Sequence, residues 1–171
     1  MILLPKDSIF IAGVPVTGKT YFGDWLEKHH NYLHLDFEMD DSIRKHNLQK
    51  EHKRIQNDGF DPLFRVLEKT GKSIVFNWGF IPQNLPIIQQ ILKYGLNPVW
   101  LTASKKIARE KFIERGGIDV KYFDLQMQRI EEMQHQLSNV FALCEVKSLR
   151  DDGTRMKPEE IYDQIQQTYG V

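Results

Sequence analysis

The sequence predicts an α/β protein in which helices cover a parallel β-sheet. Short apolar runs alternate along the chain with longer amphipathic stretches, which is the pattern of repeated βαβ units. The first apolar run ends in a turn that holds two glycines, a proline, a lysine and a threonine, and an amphipathic stretch follows this turn. The chain has 171 residues, which suits a single domain with a substantial core.

Five apolar runs are the candidate strands, because each is short and is bounded by polar or turn-forming residues. They are SIFIAG (8–13), NYLHLDF (31–37), SIVFNW (73–78), NPVWLTA (97–103) and NVFALCEV (139–146). Helices are predicted at 19–28, 40–57, 61–70, 83–94, 104–115, 120–137 and 158–168. Gly71 closes the third helix, and Pro158 with two glutamates after it opens the last one.

The composition argues against several classes of protein. The 23 Lys and Arg residues balance 23 Asp and Glu residues, so the chain lacks the basic excess of a general nucleic-acid or membrane-surface binder. Cys144 is the only cysteine, so no intrachain disulfide forms and a reducing compartment is expected. The start MILLPKDS has too short an apolar run for a signal peptide, and no stretch is long enough to span a bilayer. We expect a soluble, cytoplasmic monomer or weak dimer.

The turn after the first apolar run has the spacing Gly13-x-x-x-x-Gly18-Lys19-Thr20. In this pattern, backbone N–H groups converge on phosphate and the next helix presents the positive end of its dipole. The lysine reaches the β- and γ-phosphates, and the hydroxyl of the following residue ligates Mg²⁺. The sequence therefore predicts an ATP site that comprises Gly13, Val14, Pro15, Val16, Thr17, Gly18, Lys19, Thr20 and Tyr21.

Two residues depart from the usual phosphate loop. Pro15 removes one backbone N–H, and Val16 occupies a position where glycine is common, although a β-branched residue resists positive φ. The alternative interpretation is an ordinary strand–helix turn that matches the pattern by chance. We favour phosphate binding because the pattern follows a predicted strand and opens a predicted helix.

The acidic residues expected near such a loop follow the second predicted strand. The strand SIVFNW ends instead in Asn77 and Trp78, and no guanine-reading NKxD tetrapeptide occurs in the chain. Asp36 and Glu38 point to the same side, because alternate residues of an extended stretch share a face. We predict that Asp36 joins Thr20 in holding Mg²⁺ and that Glu38 accepts the proton of a substrate hydroxyl. The alternative is that DFEMDD is a solvated helix start whose acids suit the helix dipole.

Three further stretches resemble parts of the small P-loop metabolite kinases, the group that contains shikimate kinase and gluconate kinase. FRVLE (64–68) is similar to the FRxxE element of shikimate kinases, whose arginine binds the acidic substrate. ASKKIAREKFIERGG (103–117) is similar to the segment that supplies arginines to the nucleotide and phosphates, and FDLQMQRIEEM (123–133) is similar to a glutamine-bearing helix of gluconate kinases. The resemblance implies that Arg65 and Gln126 bind substrate, that Arg109 faces nucleotide and that Arg115 contacts the phosphates.

The same resemblance implies a three-layer α/β/α sandwich whose five-stranded parallel sheet has the order 2-3-1-4-5. It implies one domain, with a helical substrate-binding region at about 38–70 and a short lid at about 115–122. The triple glycine that follows the third strand in shikimate kinases is replaced here by NWGF, which keeps only Gly79. Because that loop lies against shikimate in those enzymes, we expect a different acceptor. Trp78 and Gly79 are candidate contacts for it, and Phe80 is a second candidate aromatic ring.

The expected function is the transfer of the γ-phosphoryl group of ATP, with Mg²⁺, to a hydroxyl of a small metabolite. The expected catalytic residues are Lys19, Asp36, Glu38 and Arg115. A nucleoside or nucleotide kinase is an alternative, in which Trp78, Phe80 and Gln83 line a pocket for the base. A second alternative is a nucleotide-binding regulatory module without useful turnover, which Val16 and the missing acid after SIVFNW slightly favour.

Overall fold

The computed structural model describes residues 2–79 and 82–171. Five strands lie in this part of the chain: β1 (Ile9–Gly13), β2 (Leu33–Asp36), β3 (Ile74–Asn77), β4 (Asn97–Thr102) and β5 (Glu145–Lys147). The helices are α1 (Lys19–His29), α2 (Asp40–Lys45), α3 (Gln49–Asp58), α4 (Asp61–Lys69), α5 (Leu85–Leu92), α6 (Lys105–Arg115), α7 (Val120–Glu132), α8 (Gln134–Phe141) and α9 (Pro158–Tyr169). A 3₁₀ turn at Pro82–Asn84 precedes α5.

The five strands form one parallel sheet with the order β2-β3-β1-β4-β5, which confirms the expected topology. Because all strands run the same way, their carboxyl ends meet at one edge of the sheet. The chain leaves central strand β1 at this edge toward β2 on one side of it, and later crosses from β3 past β1 to β4 on the other side. Such a switch point leaves a crevice in which open α/β sheets bind ligands.

Two apolar layers cover the sheet, so the architecture is the expected three-layer sandwich. Alternate β1 residues face opposite sides: Ile9 and Ile11 pack with α1 and α9, whereas Phe10 and Ala12 face the other helices. The first layer is completed by Phe22, Leu26, Val75, Val99, Ile161 and Ile165. The second layer includes Leu63, Phe64, Leu67, Phe76, Ile88, Ile91, Met127, Ile130 and Leu137.

The last strand is shorter than the sequence predicted. Of the run at 139–146, the first part belongs to α8, whose Leu137 and Phe141 are buried one helical turn apart. Only the end of the run enters β5, where Val146 is buried. The prediction was wrong because a short apolar run does not by its periodicity distinguish a buried strand from the end of a buried helix.

Two helical regions are divided where the sequence predicted continuous ones. Residues 40–57 form α2 and α3, separated at Asn47, which has a φ of 56°. Residues 120–137 form α7 and the first part of α8. Between α6 and α7 lies a short link that begins with Gly116 and Gly117, both with positive φ. Within the described residues, no helix combines the length and the apolar character needed to cross a membrane.

Side-chain caps fix the helix starts near the carboxyl edge of the sheet. The Ser104 hydroxyl accepts the N–H of Ile107 at the start of α6, and the Asp119 carboxylate accepts the N–H of Lys121 at the start of α7. Pro158 opens α9 as predicted, and Glu160 accepts the N–H of Lys157 there. These caps determine where the segments that flank the carboxyl edge begin.

Candidate active site

The loop between β1 and α1 depends on glycine at both of its ends. Gly13 has a φ of 142°, and a Cβ at this position would lie 2.0 Å from the carbonyl oxygen of Leu101. Gly18 has a φ of 89°. Inside the loop, the buried hydroxyl of Thr17 donates to the carbonyl of Val14 at 2.7 Å. Gly13 therefore packs the loop closely against β4, and the hydrogen bond from Thr17 to Val14 links two parts of the loop.

Val16 takes a left-handed conformation, with a φ of 63°. Glycine is common at this position of phosphate loops, and the positive φ of Val16 is the backbone conformation that favours glycine. A β-branched residue in this region is strained, and the cost is on the order of 1–3 kcal/mol. Its carbonyl accepts a hydrogen bond from the guanidinium of Arg155 at 2.8 Å, which helps to hold the strained turn.

The Lys19 ammonium lies inside the loop that precedes it. It donates to the carbonyl of Val14 at 3.1 Å and to that of Gly13 at 3.3 Å. Desolvation lowers the pKa of Lys19 from its ordinary value to about 8, although the nearby Glu38 and Asp36 carboxylates oppose this shift. The ammonium is therefore poorly hydrated before a ligand arrives, and a phosphate group would add negative charge beside it.

Thr20 and Asp36 meet as a hydroxyl–carboxylate pair. The Thr20 hydroxyl donates to Oδ2 of Asp36 at 2.8 Å, and only 3% of Asp36 is exposed. Its Oδ1 accepts the N–H of Glu38 at 3.1 Å, while its own N–H donates to the Ser42 hydroxyl at 2.9 Å. Hard oxygen ligands of this kind suit Mg²⁺, which commonly binds to one or two protein groups and to substrate phosphates.

Glu38 and Gly79 are in close contact across the carboxyl edge of the sheet. A Cβ at position 79 would lie 2.8 Å from Oε2 of Glu38, so a larger residue would displace this carboxylate. Gly79 follows β3 and Glu38 follows β2, and these strands are neighbours in the sheet. The glycine retained in NWGF is thus what lets Glu38 lie beside the loop.

One cavity of about 440 Å³ joins Lys19, Thr20, Glu38 and Gly79, whereas Asp36 lies outside its lining and borders a neighbouring cavity with Thr20. Its lining includes most of the side chains that the sequence singled out, and it is formed by Gly13, Pro15, Val16, Gly18, Lys19, Thr20, Tyr21, Glu38, Gly79, Arg115, Ile118, Gln126 and Arg155. Val14 and Thr17 belong to the loop, but their side chains are buried beneath it. The positively charged Lys19, Arg115 and Arg155 therefore surround a space that also contains the Glu38 carboxylate.

Arg155 and Ile118 were not anticipated. Arg155 lies in the segment between β5 and α9, and it reaches Val16 across 139 positions of sequence. No local pattern in DDGTRMKP marks it, because only the fold brings this segment over the phosphate loop. Ile118 is 53% exposed in the link between α6 and α7, and only the range around it is expected from the sequence, as a short lid at about 115–122.

Arg65 lies elsewhere. It faces a different cavity, of about 510 Å³, together with Ile2, Asp61, Glu68, Gln90, Lys93 and Tyr94. Two acids on the same helix, Asp61 and Glu68, have other hydrogen bonds. Asp61 accepts the Tyr94 hydroxyl, and Glu68 accepts the backbone N–H of Leu3. Arg65 therefore does not line the cavity at the phosphate loop, because Leu63, Phe64 and Leu67 fix the rotation of α4 by packing on the sheet.

Arg109 and Trp78 also lie outside the lining of the loop cavity. Arg109 on α6 forms a two-pronged ion pair with Asp124 on α7, with N–O distances of 2.8 and 3.1 Å, and this pairing raises its pKa. Trp78 packs edge-on against Phe37, with 5.1 Å between ring centroids. Gln83 lies in the 3₁₀ turn before α5, and Phe80 lies outside the described residues.

Comparison with solved structures gives two similar kinases. A shikimate kinase from Bacteroides thetaiotaomicron matches with a TM-score of 0.55 and 16% sequence identity, over 96% of this chain and 98% of that chain. A gluconokinase from Sinorhizobium meliloti 1021 matches with a TM-score of 0.51 and 12% identity, over 95% of this chain and 91% of that one. The chain has the P-loop kinase fold. No protein-family model matches it, and no curated protein matches its sequence.

Proposed function

We propose that the protein transfers the γ-phosphoryl group of ATP, with Mg²⁺, to a hydroxyl group of a small metabolite. The observation that carries this proposal is the convergence of Lys19, Thr20 and Glu38 at one cavity, with the Asp36 carboxylate hydrogen-bonded to Thr20 from a neighbouring cavity. A phosphate-binding cation, a magnesium-type oxygen pair and a free carboxylate are the three groups that such a transfer requires. The P-loop kinase fold supports the proposal, although the fold alone does not specify a reaction.

The phosphate chain of ATP would lie along the loop. Its backbone N–H groups and the start of α1 would bind the β-phosphate, and Lys19 would reach the β- and γ-phosphates. Arg115, which borders the same cavity and lies close enough to lower the pKa of Lys19, would stabilise the charge of the transferred group. Arg155, next to Gly18 and Val16, would face the nucleotide.

Thr20 and Asp36 would hold the metal ion. The hydroxyl is suited to direct ligation and the carboxylate to a contact through water, because the two groups already lie within hydrogen-bonding distance of each other. The bound ion would supply charge neutralisation between the β- and γ-phosphates. Asp36 is held in place by the Glu38 N–H and the Ser42 hydroxyl, so its orientation does not depend on the ligand.

Glu38 is the proposed general base. The acceptor oxygen would form a bond to the γ-phosphorus as the bond to the β–γ bridging oxygen breaks, which releases ADP. The hydroxyl proton would pass to the Glu38 carboxylate, and this step typically contributes about 10²–10⁴-fold to the rate. The acceptor would then lie between Glu38, Gly79 and Gln126, at the end of the cavity away from Arg155.

The test is ADP formation by the wild-type protein with a panel of sugar acids, neutral sugars, aminoglycosides and nucleosides. Acceptor-dependent ADP formation, together with a phosphate ester identified by mass spectrometry, is the expected result. A nucleoside as the preferred acceptor would replace the metabolite in this proposal. Tight ATP binding without turnover on any acceptor would contradict transfer and favour a regulatory module.

A further inference from the structure

Directly beneath the proposed metal site lies a polar cross-link between α1, β2 and β3, in which the two strand side chains are buried and the helix residue Asp24 is largely exposed. Its centre is His34 on β2, which is 4% exposed. Nδ1 of the imidazole donates to the Asp24 carboxylate on α1 at 2.8 Å, and Nε2 is hydrogen-bonded to the side-chain amide of Asn77 on β3 at 2.5 Å. Asn77 is 1% exposed, so two buried polar side chains from adjacent strands are tied to one helix.

The cross-link continues the contact made by the metal pair. His34 and Asp36 are two residues apart on β2 and therefore face the same helix, α1. Thr20 and Asp24 are four residues apart on α1 and therefore share one face of it. The Thr20–Asp36 and Asp24–His34 hydrogen bonds are consequently two successive contacts between the same helix and the same strand.

A third contact extends this series. Glu27, one helical turn beyond Gly23, accepts the backbone N–H of His34 at 3.3 Å. The carbonyl of His34 accepts hydrogen bonds from His46 and Ser42. The N–H and the C=O of His34, which face the open edge of β2, therefore both have hydrogen-bond partners. The position of His34 relative to α1 is therefore fixed by its ring and by its main chain.

Gly23 shows how closely α1 approaches the imidazole ring. A Cβ at this position would lie 2.3 Å from Nε2 and 2.5 Å from Cδ2 of His34. Glycine inside a helix costs about 0.5–1 kcal/mol relative to alanine. At this position it leaves the space that the ring occupies, so helix and ring are in direct contact one turn below Thr20.

Asn77 occupies the end of β3, where many phosphate-loop proteins have an acid. It is paired in register with Asp36 on β2 and with Ile11 on β1, and register partners in a parallel sheet point to the same face. Its side chain is therefore directed, like that of Asp36, toward the first turns of α1. Its side-chain amide is hydrogen-bonded to Nε2 of His34, so the direction of that amide depends on the position of the imidazole ring.

We propose that His34 is a positioning residue for the metal site. By tying α1 to the ends of β2 and β3, it sets the separation between the Thr20 hydroxyl and the Asp36 carboxylate and fixes the direction of the Asn77 amide. The inference rests on the proposed function only in taking Thr20 and Asp36 as the groups that hold Mg²⁺. Residues that orient metal ligands typically change metal affinity by about 10–100-fold when they are removed.

The experiment measures ATP binding by calorimetry as a function of Mg²⁺ concentration. His34→Leu should raise the Mg²⁺ concentration needed for half-maximal enhancement of ATP binding by about tenfold or more. ATP affinity in the presence of EDTA should stay at the wild-type value, because neither the loop N–H groups nor Lys19 is altered. A merely structural histidine would lower the melting temperature and leave the Mg²⁺ requirement unchanged, and that result would overturn the proposal.

Matched variants separate positioning from stability. Tyr32→Phe removes a buried hydrogen bond to the carbonyl of Asp7, at the other end of β2, and should lower stability without changing the Mg²⁺ requirement. Asp24→Asn keeps an acceptor for Nδ1 and should resemble the wild type, whereas Asp24→Ala should shift the Mg²⁺ requirement in the same direction as His34→Leu. If His34→Leu does not fold, Asp24→Ala decides, and an unchanged requirement in that variant contradicts the inference.

Gly23→Ala tests the same contact from the helix. The added methyl group displaces the imidazole without changing any polar group, so the Mg²⁺ requirement should rise although the helix propensity improves. All of these measurements read binding and not turnover. A wild-type protein that binds Mg²⁺ with ATP but phosphorylates no acceptor would refute the transferase proposal and leave the expected shifts in place.

Discussion

The proposed phosphate end of the cavity and its proposed acceptor end differ in how they are built. At the phosphate end, one continuous segment supplies the loop, and hydrogen bonds from Thr17, Lys19, Thr20 and Arg155 hold its shape before any ligand binds. At the acceptor end, Glu38, Gly79, Arg115 and Gln126 come from four separate segments. The first end is preorganised by local contacts, whereas the second depends on the assembly of distant parts of the chain.

The acceptor end also borders the link between α6 and α7, which has open space around its two glycines. Nothing lies within 4 Å of a Cβ placed on Gly116 or Gly117, and Ile118 beside them is exposed. Segments with few packing contacts open at low free-energy cost, which suits a part that must admit and release different molecules. A rigid phosphate end and a loosely packed acceptor end would keep the nucleotide chemistry constant while acceptor preference changes.

Lys19→Ala should have the largest effect, because it breaks the phosphate end. The ammonium is the one side-chain cation inside the loop, and loss of a group that stabilises transition-state charge costs about 10²–10³-fold in kcat. We expect at least a hundredfold loss of kcat/KM for ATP with the fold retained, measured by ADP formation and circular dichroism. Unchanged ATP affinity and turnover would exclude this loop as the phosphate site.

Glu38→Gln should have the next largest effect and should be confined to the acceptor end. The amide keeps the size of the side chain but does not accept a proton, so kcat should fall by about a hundredfold with little change in ATP affinity. Asp36→Asn is the matched control, because it alters the neighbouring carboxylate and should raise the Mg²⁺ requirement instead. Wild-type kinetics in Glu38→Gln would return DFEMDD to the simpler interpretation of a solvated helix start.

The sequence predicted the phosphate end better than the acceptor end for a physical reason. Lys19 and Thr20 are named by a contiguous pattern, and Asp36 follows from alternation along one strand. Arg155 is not recoverable in this way, because its contact with Val16 depends on the return of the chain after β5. Arg65 matched a short pattern, but the packing of α4 on the sheet turns it toward another cavity.

Raising the pH should weaken the phosphate end alone. The pKa of Lys19 is about 8 in the free protein, and bound phosphate would raise it, so ATP binding above pH 8 requires uptake of a proton. Affinity should be nearly constant below pH 8 and fall by up to about tenfold per pH unit above it. Calorimetry between pH 7 and 9.5 measures this, and Lys19→Arg should flatten the profile because arginine stays charged. A flat wild-type profile would contradict the lowered pKa of Lys19.

Val16→Gly tests how much strain the phosphate end stores. Relief of the left-handed conformation should return about 1–3 kcal/mol, and the entropy of glycine should offset about 0.5–1 kcal/mol of that. We expect the free energy of unfolding to rise by about 1 kcal/mol in urea denaturation. Val16→Ala is the control, since alanine keeps a Cβ and should gain less. Destabilisation by glycine would show that the packing of Val16 outweighs its strain.

Arg109→Ala should have the smallest effect, and it decides to which end Arg109 belongs. The resemblance to shikimate kinases directs this arginine to the nucleotide, whereas the structure pairs it with Asp124 at the solvent-exposed face between α6 and α7. Exposed ion pairs contribute little to stability.

If the pair persists with ATP bound, Arg109→Ala and Asp124→Ala should each lower the melting temperature slightly and leave ATP affinity unchanged. If instead Arg109 leaves Asp124 for the nucleotide, Arg109→Ala should weaken ATP binding while Asp124→Ala strengthens it by freeing the guanidinium. Opposite signs in the two variants would add Arg109 to the phosphate end, whereas equal and small effects would leave it as an ion pair between α6 and α7.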